Sequence, residues 1–120
     1  MQPEIRRIIA VDAHRRRTGS CPQMIHSLGS GETFGIASSP DGFTDIETGL
    51  RVRVDAARIL LPGGLAPIEI VMAEDVTFSG FDPGSGERFS GRAGGGSSVT
   101  IYDSRQDDYF QYAVVNDSGL

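Results

Sequence analysis

Apolar and polar residues alternate with a period of two along most of the chain beyond Pro22. In the segment GLRVRVD at 49–55, three aliphatic residues alternate with three charged ones. A strand of this kind is buried on one face and hydrated on the other, which is typical of an antiparallel sheet. Together with other apolar runs bounded by turn residues, it predicts about eight short strands, at 23–28, 33–37, 49–55, 57–61, 66–73, 75–81, 98–103 and 109–115.

The segment PEIRRIIAVDAHRRR at 3–17 does not alternate, and its pattern predicts a helix. Pro3 suits the first turn, and Glu4 complements the positive end of the helix dipole. Positive charge favours the last turn, where three arginines precede Gly19, a residue that commonly ends helices. Four apolar residues at helical spacing form one face of the helix: Ile5, Ile8, Ile9 and Ala13.

These elements predict a mainly β fold, a small antiparallel barrel or sandwich of about eight short strands with one N-terminal amphipathic helix. We expect one domain over residues 1–120, with the helix at 3–17 packed on a β body at 23–115. The helix is expected to cover an open edge or end of the sheet.

Two glycine-rich segments resemble each other: GSGETFG at 29–35 and GSGERFSG at 84–91. A dinucleotide-binding loop requires a glycine at the sixth position and a helix after it, whereas here Phe34 fills that position and a strand pattern follows. A nucleotide-hydrolase phosphate loop requires a lysine, and the chain has none. Both segments are therefore predicted to be hairpin turns, in which glycine supplies positive φ.

Net charge is −5 and is unevenly distributed. Residues 1–17 carry five arginines against two acids, whereas residues 18–120 carry six arginines against fourteen acids. The acidic body disfavours nucleic acid as a partner. Basic residues that are all arginine suggest a bacterial or phage source. A lone cysteine and the lack of a signal-peptide or membrane-spanning run predict a cytoplasmic protein that does not bind membranes.

The residues that could carry chemistry are few. His14, Cys21 and His26 lie close in sequence, but their spacing lacks the paired ligands of a zinc site. A Cys21–His26 nucleophile would need an orienting third group that the sequence does not display. No metal or cofactor is expected.

Three groups of residues are candidates for binding. Arg15, Arg16 and Arg17 could contact an anion or a nucleic acid, or could instead cap the helix and dock on the acidic body. The last hairpin carries exposed tyrosine with arginine, a composition found in protein contacts and also in stabilising cross-strand pairs: Tyr102, Arg105 and Tyr109. The glycine-rich loop at 91–98, flanked by Arg88 and Arg92, could bind an anion or simply connect two strands.

The sequence thus predicts a non-catalytic binding or assembly module, one that self-associates through sheet edges or through the tyrosine-bearing hairpin. The alternative is a small enzyme or ligand-binding barrel with a site near His14, His26 and the glycine-rich loop. A second alternative is anion or nucleic-acid contact through the arginine cluster at 15–17. The first two differ in structure, because a ligand site would bring His14, His26 and Arg88 into one cavity.

Overall fold

A computed structural model describes residues 1–116 of the chain. Within this range, one helix precedes ten strands. The elements are α1 (Pro3–Thr18), β1 (Pro22–Ser27), β2 (Thr33–Ser39), β3 (Gly42–Asp45), β4 (Leu50–Val54), β5 (Arg58–Leu60), β6 (Ile68–Met72), β7 (Thr77–Asp82), β8 (Glu87–Ala93), β9 (Ser98–Asp103) and β10 (Asp108–Asn116). Within the described residues, no helix combines the length and apolar character needed to span a membrane.

The ten strands form one closed barrel in which every neighbouring pair is antiparallel. Consecutive strands are neighbours, and β1 closes the barrel by pairing with both β2 and β10. The predicted mainly β fold with an N-terminal helix is confirmed. The predicted number of strands was too low, because β3 and β8 were not recognised. β3 has only four residues and begins at the glycine of a proline–aspartate–glycine segment, and glycine interrupts β8.

The helix lies inside the barrel, not over an edge or end of it. Residues 8–14 form almost two helical turns, and each is at most 1% exposed. A helix that docked on the outside would leave one face in water. The prediction that the helix covers an open edge or end of the sheet was therefore wrong: residues 8–14 of α1 are buried on all sides and lie at the centre of the core.

Contacts at the end of α1 confirm its axial position. Successive helical residues point about 100° apart, so four in a row sweep the full circumference. His14 contacts β10, and Arg15 contacts the ends of β2 and β3. Arg16 reaches the β4–β5 connection and β5, while Arg17 reaches β7, β8 and the β6–β7 connection. Only a helix on the barrel axis can contact strands in every direction.

Short hairpins close the barrel end at which α1 begins, which we call the upper mouth (the end containing residues 3–7). Three of these hairpins contain the same kind of backbone hydrogen bond, in which a glycine N–H donates to the carbonyl four residues earlier. The donors are Gly31, Gly49 and Gly86. Each of these glycines has a φ of 71–74°, in the left-handed region that glycine adopts without strain. Gly31 and Gly86 belong to the two similar glycine-rich segments, which are therefore hairpin turns as predicted.

Candidate binding surface at the upper mouth

Arginines fill the opposite end of the barrel, the lower mouth (residues 14–18 of α1). The guanidinium groups of Arg15, Arg16 and Arg17 donate to seven backbone carbonyls at the strand ends, those of Ser39, Gly42, Ala56, Arg58, Ala73, Thr77 and Ala93. These bonds tie the end of α1 to the rim, and the Arg58 and Thr77 carbonyls also accept backbone hydrogen bonds from Asp55 and Ala73. A phosphate at the lower mouth would compete with these carbonyls for the three guanidinium groups.

Asp12 lies on α1 one turn before Arg16, on the interior side of the lower mouth, and is completely buried. Its carboxylate accepts a hydrogen bond of 2.5 Å from Arg16 Nε. Burial raises the pKa of Asp12, because desolvation outweighs the stabilising charges of Arg16 and Arg15. The Asp12–Arg16 pair therefore fixes the orientation of Arg16 towards the rim at a desolvation cost.

The two histidines lie in different parts of the molecule. His14 is buried at the lower mouth, where its Nε2 lies 2.8 Å from Asn116 Oδ1 and 3.2 Å from Ser20 Oγ. His26 is on the outer surface of β1, and its Nδ1 lies 2.8 Å from Thr33 Oγ1. The two side chains do not share a cavity, and nowhere in residues 1–116 do three or more histidine, cysteine or acidic side chains form a metal-binding group.

The arginines beside the glycine-rich loop also lie apart from the histidines. Arg88 is exposed on the outside of β8, with its guanidinium 5.8 Å from the ring of Phe81. Arg92 is exposed on the same strand, where it pairs in register with Thr77 and Thr100. The structure therefore does not bring His14, His26 and Arg88 together.

Two buried arginines of α1 form the floor of the upper mouth. Arg6 stacks on Phe110 with its Cζ 3.8 Å from the ring centroid, and its Nη1 donates to Asp103 at 2.9 Å. Arg7 repeats this arrangement on the other side. Its Cζ lies 3.9 Å from the ring of Phe34, and its Nη2 donates to Asp45 at 2.9 Å. Each positive charge is thus paired with a fully buried carboxylate.

Asp103 is held in its charged form. Burial by itself would raise the pKa of this carboxyl, but hydrogen bonds from the Gln106 N–H and from Arg6, with the nearby Met1 ammonium, outweigh it and lower the pKa. The Arg105 N–H donates a further bond of 3.1 Å. Asp103 therefore ties the helix start to the β9–β10 hairpin.

A cleft of about 820 Å³ opens above these arginines, and we call it the mouth cleft. The start of α1 and the β1–β2, β3–β4 and β9–β10 hairpins enclose it. Its walls include the apolar side chains of Leu28, Phe34, Tyr109 and Phe110, of which Leu28 and Tyr109 are 53% and 66% exposed. Its acidic side chains are Glu4, Glu32, Glu47 and Asp108.

Tyr109 also belongs to a second, smaller groove of about 410 Å³ on the outer wall of the barrel. It pairs in register with Tyr102, and the two rings lie 5.0 Å apart. Tyr102 donates a 2.6 Å hydrogen bond to Asp107, which raises the pKa of the phenol. Beyond the tyrosine pair, the groove is lined by residues of β7 and β8, among them Ser79 and Ser90, which pair in register. Tyr109 is thus a ridge between two concave surfaces.

Arg105, predicted beside the tyrosines, contacts other groups. Its Nε lies 3.1 Å from Glu87 Oε1, and its Nη2 donates to the Ser85 carbonyl at 2.9 Å. Arg105 therefore bridges the β7–β8 and β9–β10 hairpins.

Sequence reasoning missed the mouth cleft and its two floor arginines. One signal was present, because Arg6 and Arg7 lie near the start of α1, where the helix dipole disfavours positive charge. Arginines in that position call for carboxylate partners from elsewhere in the chain.

Comparison with protein-family models, with characterised proteins and with solved structures finds no match for this chain.

Proposed function

We propose that this protein is a non-catalytic binding module that holds a protein segment on the mouth cleft and the Tyr109 ridge. The barrel's own helix fills the space in which other barrels hold small ligands, since residues 8–14 are buried on every side. Binding must therefore take place on the outer wall or at a mouth.

The exposed Tyr109 side chain is the observation that carries this proposal. At 66% exposure it is the most exposed of the large hydrophobic side chains in residues 1–116. Its neighbour Tyr102 restrains it, so little side-chain entropy would be lost on binding. Ordered tyrosines beside a concave apolar surface are characteristic of the residues that dominate protein interfaces.

Because the barrel is closed, a partner cannot bind by adding a strand to a free sheet edge. Every strand has two hydrogen-bonded neighbours, so the sheet edges considered from the sequence are not free to add another strand. The tyrosine-bearing hairpin and the adjoining cleft remain. A partner that spans both would bury Tyr109 at its centre, where truncation of an aromatic residue has its largest effect.

An unbiased peptide library displayed against the protein tests this proposal. We expect enriched peptides to bind wild type and to lose about tenfold or more of their affinity with Tyr109→Ser or Leu28→Ser. Leu65→Ser is the matched control, because Leu65 is 57% exposed but lines neither groove. Its affinity should equal that of wild type.

Three other results are informative. Enriched peptides that bind all three variants equally would refute the proposal, and so would a library that yields no binder. A wild-type dimer in sedimentation that becomes monomeric with Tyr109→Ser, but not with Leu65→Ser, would support the assembly form of the proposal.

A further inference from the structure

The mouth cleft carries uncompensated negative charge. Glu32, Glu47 and Asp108 are exposed, Glu4 is partly exposed, and none of the four forms an ion pair within residues 1–116. The floor arginines do not neutralise these acids, because each is already paired with its own buried carboxylate. Four acids around one concave surface attract a cationic ligand.

The cleft also has apolar walls that are already in place. The guanidinium groups stacked on Phe34 and Phe110 restrain both rings, and the exposed Leu28 and Tyr109 extend the apolar surface outward. A preformed apolar surface costs less ordering when a ligand binds. Ser27 and Ser30 also line the cleft, and their hydroxyl groups could donate to a peptide backbone.

The negative charge of the mouth cleft favours one class of ligand over the others. A nucleic acid would meet like charge at the rim. A second copy of this chain carries a net charge of −5, so two acidic molecules would repel each other, and five of its eleven arginines are engaged in its own barrel. A segment that combines basic with apolar side chains complements both the rim and the walls.

We propose that the mouth cleft binds a short basic, apolar peptide segment of a partner protein. This inference rests on the proposed function and names the chemistry of its partner. Basic side chains would pair with the rim acids, and apolar side chains would pack against Leu28, Phe34 and Tyr109. Such recognition depends on charge and on apolar contact together, so loss of either should weaken it.

A labelled hexapeptide of alternating arginine and apolar residues, Arg-Leu-Arg-Phe-Arg-Leu, is the probe, with binding followed by fluorescence anisotropy. The double substitution Glu32→Gln/Glu47→Gln is expected to weaken binding about tenfold. Raising the salt concentration from about 0.1 M to about 1 M, which shortens the Debye length from about 10 Å to about 3 Å, should also weaken it. The same peptide with glutamate in place of arginine should not bind.

The matched control is Glu69→Gln/Glu74→Gln, which removes the same charge from exposed positions outside the cleft. It should change the affinity by less than about twofold. Equal losses in the two double variants would overturn the inference, because they would reveal attraction to overall charge alone. Binding of the glutamate peptide, or no binding of the arginine peptide, would also overturn it.

These results are distinguishable from failure of the proposed function. If library peptides depend on Tyr109 and Leu28 but carry no basic residues, the protein is a binding module and only the inferred partner chemistry is wrong. If neither the library peptides nor the arginine peptide depends on Tyr109 and Leu28, both proposals fail.

Discussion

Replacing Asp103 by alanine should destabilise the fold by about 3–5 kcal/mol, the cost of removing one partner of a buried ion pair. Asp103 is completely buried and accepts bonds from Arg6 and from the N–H groups of Arg105 and Gln106. Its loss leaves the Arg6 charge uncompensated inside the upper mouth. Chemical denaturation at neutral pH measures this effect.

The matched control for Asp103 is an exposed ion pair. Asp41 and Arg51 lie 3.5 Å apart with both side chains more than half exposed, so Asp41→Ala should cost less than about 1 kcal/mol. Similar losses from the two alanine substitutions would contradict a special role for the buried pair.

The pH dependence of stability provides a second measurement on Asp103. Because its pKa is lowered on folding from an ordinary value of 3.8, the charged carboxyl stabilises the fold above that value. This contribution is lost as the pH falls through the folded-state pKa. Asp103→Asn removes it, so the stability of this variant should fall less than that of wild type on acidification. A parallel decline would show that Asp103 is not held charged.

Gly91→Ala should destabilise the protein by about 3 kcal/mol or more, since adding a methyl group to a packed interior forces its neighbours to move. A Cβ at this position would lie 2.2 Å from the Thr100 carbonyl oxygen and 2.5 Å from Phe78 Cζ. Gly91 pairs with Phe78, and Gly80 pairs with Phe89 on the same two strands. Each phenyl ring therefore occupies the space above a glycine.

The effect of Gly91→Ala is measured by thermal unfolding. We expect the melting temperature to fall by at least about 10 °C, because each kcal/mol corresponds to several degrees in a domain of this size. Gly95→Ala is the control, since a Cβ there has no neighbour within 4 Å and φ is not positive. Equal melting temperatures for the two variants would contradict the packing of Phe78 over Gly91.

The sequence predicted those elements whose signal is local. The alternation around Leu50 and Val52 predicted β4, and Gly19 with its preceding arginines predicted the end of α1, where Gly19 has a φ of 69°. In contrast, β3 is too short to display a period, and in β8 the inward positions include a glycine. Their strand character comes from pairing with neighbours, which periodicity does not report.

The position of α1 could have been predicted more fully. The run IIAV places four apolar side chains about 100° apart, which leaves no polar side on that turn. Such a helix is buried on all sides. The binding surface was harder to predict, because only the Tyr102–Tyr109 hairpin is local in sequence. The Arg6–Asp103 pair that forms its floor joins residues 97 positions apart.

Thiol labelling of α1 tests most directly whether the helix fills the barrel. In a Cys21→Ser background, single cysteines at positions 8, 9, 10 and 11 sample nearly every side of the helix. We predict that all four react at least about 10³-fold more slowly than the exposed Cys21 of wild type, because each requires the barrel to unfold. If any one of the four reacts as fast as Cys21, the helix has a solvent-facing side and does not lie in the barrel interior.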